Sequence, residues 1–270
     1  MTAQFRLAIV GGGRMGEAIV AGLLAADAVS VEAIVVAEPE TRRRETLRAA
    51  HGVLCVAAGV EAVQGADIVL LAVKPQLIDS VVSDLAPHVA PQTLIVSIAA
   101  GIACARLESM LVEGTAVVRV MPNTPVFARE GMSVVSGGAA ASPEQVELVR
   151  ELFSSVGKAV VLDERYQAAA TAVSGSGPAY VALFIDALAR AGVRHGLTRE
   201  TAELLAVQTV RGTAALLEAT GQHPEQLIDA VCSPGGTTIA AIERLEAGGL
   251  RAAVADGVAA AVARTRELES

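Results

Sequence analysis

LAIVGGGRMGEAIVAGLL, Leu7 to Leu24, reads as strand, turn and helix in immediate succession. Four apolar residues run straight into Gly11-Gly12-Gly13-Arg14-Met15-Gly16, and an Ala/Ile/Leu-rich stretch of helical spacing follows. Gly11, Gly13 and Gly16 carry the G-x-G-x-x-G spacing of a dinucleotide fingerprint, which requires a strand before it and a helix after it. Gly11 permits the tight turn, Gly13 lets a pyrophosphate approach the backbone, and Gly16 lets the helix lie close on the strand. The free N–H groups and positive end of that helix favour phosphate charge. The bland alternative is a glycine-rich turn that holds no ligand.

Working outward, the strand–helix unit repeats. Ala33–Ala37 is a short apolar strand ending at Glu38, 22 residues beyond Gly16. That is about where the fingerprint places an acid that accepts a hydrogen bond from a ribose 2′-hydroxyl. Arg42-Arg43-Arg44 follow on a helix that Pro39 opens. They suit a 2′-phosphate or form a solvated helix face, so the choice between NADH and NADPH stays open. Val53–Val56 is a third strand and Asp67–Val73 a fourth, an unbroken apolar run of the kind buried on both faces of a parallel sheet. Thr93–Ile98 and Ala116–Val120 repeat the pattern. Ligands of an open α/β sheet sit beyond the carboxyl ends of its strands. This nominates the strand ends Lys74-Pro75, then Ala99-Ala100-Gly101, then Met121-Pro122-Asn123-Thr124-Pro125. Taken alone, Lys74 is a surface lysine, and Asn123 between Pro122 and Pro125 is either a rigid turn residue or a donor to the ligand.

Ser133–Ser136, a helix from Ser142-Pro143 and a strand Ala159–Leu162 complete an α/β Rossmann-type domain over residues 1–162, its sheet mostly parallel. From Asp163 the alternation stops, and residues 163–270 read as an all-α domain. Its helices are Glu164–Val173, Pro178–Ala191, Arg199–Glu218, Glu225–Val231, Thr238–Glu246 and Arg251–Arg264. Leu204, Val207, Val210, Ala214 and Leu217 line one helical face. So many apolar faces in so short a stretch predict burial against a second subunit rather than a self-contained bundle. Within this half, Cys232-Ser233-Pro234-Gly235-Gly236-Thr237-Thr238 sets free backbone N–H groups in a concavity suited to a small carboxylate. The alternative is a plain turn with a Thr cap. Ser174-Gly175-Ser176-Gly177-Pro178 reads as tight helix packing.

Composition narrows the class. The 270 residues suffice for one large or two ordinary domains. With 53% hydrophobic residues but 2% aromatic and no Trp, the core is built from Ala, Val, Leu and Ile. A net charge of −8 argues against broad nucleic-acid binding and against adhesion to anionic membranes. Cys55, Cys104 and Cys232, odd in number and far apart, suit a reducing compartment, and a cytoplasmic location is expected. Leu85–Ala105 and Tyr166–Ile185 lack charged residues for about the length of a membrane span. Turn formers interrupt both, so both read as buried elements of a soluble protein. The apolar run before the glycines is too short for a signal peptide. The four His are isolated, so no metal site is expected.

Several of these motifs together carry a resemblance. IVGGGRMGEAIVAGLL at the amino-terminal end, AVKP at Ala72–Pro75, MPNTP at Met121–Pro125, SGSGPAY at Ser174–Tyr180 and HP…SPGGTT from His223 to Thr238 resemble pyrroline-5-carboxylate reductase. They do so in that family's order and over nearly the whole chain. The resemblance implies reduction of 1-pyrroline-5-carboxylate to L-proline by NADPH or NADH, the last step of proline biosynthesis. It also implies a homodimer or higher homo-oligomer, interlocked through the helical domain, with the active site near the interface. By position, it implies that Gly11, Gly12, Gly13, Arg14, Met15 and Gly16, Ala72–Pro75 and Ile98–Ala100 hold the cofactor. Gly235, Gly236, Thr237 and Thr238 would hold the substrate, with Thr238 on the ring nitrogen as catalytic residue, and Glu164 matches a position near the substrate. Ala37-Glu38 departs from the Ser or Asn and following basic residue of many members. Gly59 and Ala230 stand where some have cofactor-contacting Asn. Two other readings are a related imine or hydroxyacid reductase and a non-catalytic dinucleotide-binding regulator. The former commonly uses a Lys in the second domain, and no Lys follows Lys158.

Overall fold

The apolar runs become strands of a single eight-stranded sheet. In the computed structural model, which describes residues 5–269, these are β1 (Leu7–Val10), β2 (Ile34–Ala37), β3 (Leu54–Val56), β4 (Ile68–Leu71), β5 (Leu94–Ser97), β6 (Val117–Met121), β7 (Gly131–Gly137) and β8 (Gly157–Val161). Their order is β3-β2-β1-β4-β5-β6-β7-β8, and every neighbouring pair is parallel except β6 with β7. The chain winds outward from β1 to β3, then returns to lay β4 on the other side of β1. That reversal is the switch point at which open α/β sheets bind ligands.

Both faces of the sheet are covered, which is why β1, β2, β4 and β5 are buried at every residue. The helices of this unit are α1 (Arg14–Ala25), α2 (Thr41–His51), α3 (Gly59–Val63), α4 (Ile78–Leu85), α5 (Cys104–Glu108), α6 (Pro143–Ser154) and α7 (Gln167–Ala170). Alternate side chains go to opposite faces. Leu7, Ile9, Ile34, Val36, Ile68 and Leu70 meet Ile19 and Leu23 of α1 and Phe153 of α6. Ala8, Val10, Val35, Val69 and Leu71 meet Ile78, Val82 and Leu85 of α4. At the start of α6, the Ser142 hydroxyl accepts from Gln145 N–H while the Gln145 side chain accepts from Ser142 N–H, a reciprocal cap.

The chain divides into two compact units, Met1–Ser176 with Ala261–Ser270, and Gly177–Ala260. The first extends past the last strand because α7 is built into the sheet: Gln167 Nε2 donates to Val134 O and to Ser136 Oγ. A π-helical turn over Thr171–Gly175 follows α7, where a regular helix was expected.

The second unit holds α8 (Gly177–Arg194), α9 (Arg199–Thr220), α10 (Pro224–Val231), α11 (Thr237–Ala247) and the start of α12 (Leu250–Glu269). Its buried core is Ala189, Ala202 and Ala206 with Ile185 against them. Larger apolar side chains face outward: Leu183 is 71% and Leu204 68% exposed, and Phe184, Leu188 and Leu205 are exposed too. The expected burial of Tyr166–Ile185 is therefore met only in its first half, at Gln167, Ala168 and Ala172. The expected burial of Leu85–Ala105 is met at Leu85, through β5 and at Ala99, Ile102 and Cys104, while Pro87, His88, Pro91 and Gln92 are exposed. The helical run over 164–194 is long and apolar enough to cross a membrane by length and composition alone.

A Cβ on Gly16 would lie 2.2 Å from Gly11 O, whereas one on Gly13 would meet nothing within 4 Å. Gly16→Ala is therefore expected to cost about 1–3 kcal/mol in urea unfolding, and Gly13→Ala less than about 1 kcal/mol. Equal losses would show that close packing is not what fixes Gly16.

Candidate active site

The fingerprint turn is the centre of the first unit's site. Gly11 adopts φ +112°, open to glycine, and its N–H donates to Ala37 O at 2.9 Å, tying the end of β1 to β2. On the other side Ala72 N–H donates to Val10 O at 2.8 Å, and Ile98 N–H to Leu71 O at 3.1 Å. Gly11–Gly16, Ala72–Pro75 and Ile98–Ala100 thus emerge side by side from β1, β4 and β5. Gly13 precedes α1 with an extended backbone, and no side chain caps the helix. The first-turn N–H groups have no intrahelical acceptor, and the space at Gly13 is open. This is the arrangement a pyrophosphate requires. Arg14 is exposed with its guanidinium 5.1 Å from the Phe127 ring centroid, Met15 is half-buried, and Lys74 is exposed. Ala99 is buried and Ala100 exposed.

Asn123 is nearly buried and both ends of its amide are engaged. Nδ2 donates to Ser174 O at 2.9 Å, and Oδ1 accepts from Met132 N–H at 2.8 Å. Asn123 thus ties the loop after β6 to the π-helical turn.

Glu38 ends β2 beside the fingerprint. Its Oε2 accepts from Gly12 N–H and its Oε1 from Glu40 N–H, each at 3.0 Å. Two of the three arginines are committed nearby. Arg43 Nε donates to Gly12 O at 2.7 Å and its Nη2 pairs with Glu17 at 2.5 Å. Arg44 donates to Glu38 O and Pro39 O, each at 2.7 Å. Glu17 also meets His51 Nε2 at 3.2 Å. Burial pushes the Glu17 carboxyl up, but hydrogen bonds and charge from Arg43 and His51 outweigh it and hold the group below its ordinary value.

Sequence reasoning missed the charge cluster around Arg119, although an arginine inside the apolar run Val117–Met121 was a visible signal. Arg119 is 3% exposed. It pairs with Glu164 at 3.3 Å and with Glu269 at 2.6 Å. Glu164 Oε1 also accepts from Cys104 N–H at 2.8 Å. Burial, then the Glu164 charge, pushes the Cys104 thiol up to about 12, so it is an inert packing group.

In the second unit, Gly236 is the N-cap of α11 and no side chain caps that helix. Thr237 and Thr238 lie within its first turn, so the plain turn with a Thr cap is not what forms. Gly235 sits at φ +67° and Gly236 N–H donates to Ser233 O at 3.0 Å, which closes the loop ahead of the helix. The first-turn N–H groups of α11 have no intrahelical acceptor. Among the described residues no group of three His, Cys, Asp or Glu could hold a metal ion.

Known proteins match over the whole chain. Residues 164–268 match the family profile "Pyrroline-5-carboxylate reductase dimerisation", and residues 6–101 match "NADP oxidoreductase coenzyme F420-dependent". Pyrroline-5-carboxylate reductase of Synechocystis sp. is 44% identical over 98% of this chain and 98% of its own length. A solved pyrroline-5-carboxylate reductase from Coxiella burnetii has TM-score 0.95 and 35% identity, covering 99% of this chain and 100% of that one. The Plasmodium falciparum pyrroline carboxylate reductase solved with NADP bound has TM-score 0.89 and 30% identity, with 100% of both chains covered.

Two outcomes are expected from the charge clusters. Glu164→Gln, which keeps an acceptor for Cys104 N–H but removes the charge facing Arg119, should lower stability by about 1–3 kcal/mol in denaturant titration. An unchanged midpoint would place the whole Arg119 interaction on Glu269. Because the folded-state value of Glu17 lies below its ordinary 4.5, its contribution is fully present above that value and is lost as pH falls through the lower folded value. The stability gap between wild type and Glu17→Gln should therefore be flat at neutral pH and close on acidification below about 4.5; a gap that widens instead would reverse the assignment.

Proposed function

The chain belongs to the pyrroline-5-carboxylate reductase family, and from that premise we propose that it reduces 1-pyrroline-5-carboxylate to L-proline with NADPH or NADH, the last step of proline biosynthesis. The observation that carries the reading is that one chain holds both halves of the family, matched at full length at 44% identity. A cyclic imine is a better hydride acceptor once its nitrogen is protonated, so the positive charge lies on the substrate and little acid–base machinery is needed. The protein has to position the ring and exclude water.

The residues at the β1–α1 turn fit a dinucleotide, since the space beside Gly13 is open and the N-terminus of α1 is uncapped. Gly11–Gly16 would hold the pyrophosphate, with Ala72–Pro75 and Ile98–Ala100 lining the nicotinamide end. When bound, the dihydronicotinamide supplies a hydride equivalent for the imine carbon. On the other unit, backbone N–H groups from Gly235 to Thr238 hold the substrate carboxylate. The Thr238 hydroxyl oxygen accepts from the protonated ring nitrogen and fixes which face of the ring is presented. Glu164, whose contacts to Arg119 and Cys104 all end on Oε1, is assigned to the substrate side of the first unit.

The chain works as a homodimer or higher homo-oligomer, in which a second copy covers the outward apolar residues of α8 and α9. A cytoplasmic location belongs to the same reading, supported by three free cysteines. The absence of any Lys after Lys158 disfavours a related reductase with a catalytic lysine.

Initial rates followed at the NAD(P)H absorbance band should show turnover of pyrroline-5-carboxylate with both cofactors and no strong bias to NADPH. Cofactor binding without turnover would leave a regulator instead. A hydrogen bond to a charged group contributes about 1.5–3 kcal/mol. Thr238→Ala should accordingly lower kcat/KM by roughly ten- to a hundredfold with the melting curve unchanged. An unaltered rate would remove Thr238 from the mechanism.

A further inference from the structure

We infer that this chain selects the dinucleotide lacking a 2′-phosphate, through Glu38, and that Arg43 braces the selecting carboxylate rather than binding phosphate. The inference rests on the dinucleotide site proposed above and goes beyond it, since that reading accepts either cofactor.

Glu38 is fixed where the adenine-side ribose of a fingerprint-bound dinucleotide belongs, at the carboxyl end of the strand next to β1. Its carboxylate is held by two backbone donors, Gly12 N–H and Glu40 N–H, each at 3.0 Å. A Cβ built on Gly12 would sit 3.0 Å from Glu38 Cβ, so the side chain lies directly on the fingerprint turn. Each carboxylate oxygen engages a single donor there, which leaves acceptor capacity for a hydroxyl. A 2′-phosphate in the same place would bring up to about two negative charges against it.

The nearby arginines do not offset that repulsion. Arg43 Nε holds Gly12 O at 2.7 Å, and its Nη2 is paired with Glu17 at 2.5 Å. Glu17 is in turn fixed by His51 at 3.2 Å, and all three side chains are at least two-thirds buried. Gly12 is thus gripped on both backbone atoms, N–H by Glu38 and C=O by Arg43. Arg44 wraps back on Glu38 O, Pro39 O and Thr41 Oγ1, and Arg48 donates to Cys55 O. Among the described residues, Arg42 alone of the three consecutive arginines has no side-chain partner, and it is exposed. The basic run that suggested a 2′-phosphate site is therefore mostly an internal scaffold for an acidic ribose site.

Binding without substrate tests this. Equilibrium titrations of NADH and NADPH by cofactor fluorescence, and of AMP and 2′,5′-ADP by calorimetry, should give at least tenfold tighter binding of the member without the 2′-phosphate in each pair. Glu38→Gln should shrink that ratio to a few-fold or less, mainly by improving the 2′-phosphorylated ligands. Arg43→Lys should weaken NADH and NADPH by the same factor, as a brace would. Equal or tighter binding of NADPH and 2′,5′-ADP by wild type overturns the selectivity. A loss confined to the 2′-phosphorylated ligands in Arg43→Lys, checked as folded by its melting curve, overturns the brace. Failure of all four ligands to bind would instead remove the dinucleotide site itself, and the proposed function with it.

Discussion

Three backbone segments converge at Gly11 with no room for a side chain. A Cβ there would lie 2.5 Å from Ala72 O, and one on Gly16 would lie 2.2 Å from Gly11 O. The turn after β1, the end of β4 and the first turn of α1 are therefore locked together by excluded volume as much as by hydrogen bonds. The rest of the first unit follows from that lock. It sets α1 against β1 with its N-terminus at the strand ends, and it places that N-terminus at the one point where the strand order reverses. A single methyl at either glycine would push the helix from the strands, and its N-terminus would move with it.

Charge is handled by commitment rather than exposure. Arg119, inside the apolar run of β6, is nearly excluded from water and would be costly there without partners. Glu164 and Glu269 supply them from two distant parts of the chain. The pairing draws the last residues of α12 into the first unit, where Leu268 also lies against Gly101. The Glu17–Arg43–His51 group does the same on the opposite side of the sheet's centre, where it braces the fingerprint loop. Both clusters use long side chains to join segments that the hydrophobic pattern alone would leave independent.

Which of these features were legible in the sequence follows from the range of the forces involved. The strands, their parallel stacking and the fingerprint turn rest on local periodicity and on glycine spacing, and these were readable: Leu7–Val10, Ile34–Ala37 and Ile68–Leu71 all lie inside the expected runs. Strand ends were overestimated. β4 stops at Leu71, short of the apolar Ala72 and Val73, although Ala72 N–H still donates to Val10 O. The partners of Asn123 and Arg43 were not legible, because they lie far away in the chain. Asn123 reaches Ser174 and Met132, and Arg43 reaches Gly12 and Glu17. A basic run looks the same in sequence whether its guanidinium groups face a ligand or the protein's own carbonyls.

The helical unit shows the opposite case, in which composition said more than a single chain's geometry can satisfy. α8 and α9 meet through Ala189, Ala202 and Ala206, small residues that let the backbones approach but bury little apolar area. Leu183, Leu204 and Leu205 are left outside, and each is worth roughly 1.5–3 kcal/mol when fully buried. A handful of such residues amounts to about the whole stability of an ordinary domain. Residues 164–268 match a dimerisation profile, and burial of these faces against a second copy would make the unit's stability depend on protomer concentration. The loop closed by Ser233 and Gly236 at the head of α11 lies in the same unit and would share that dependence.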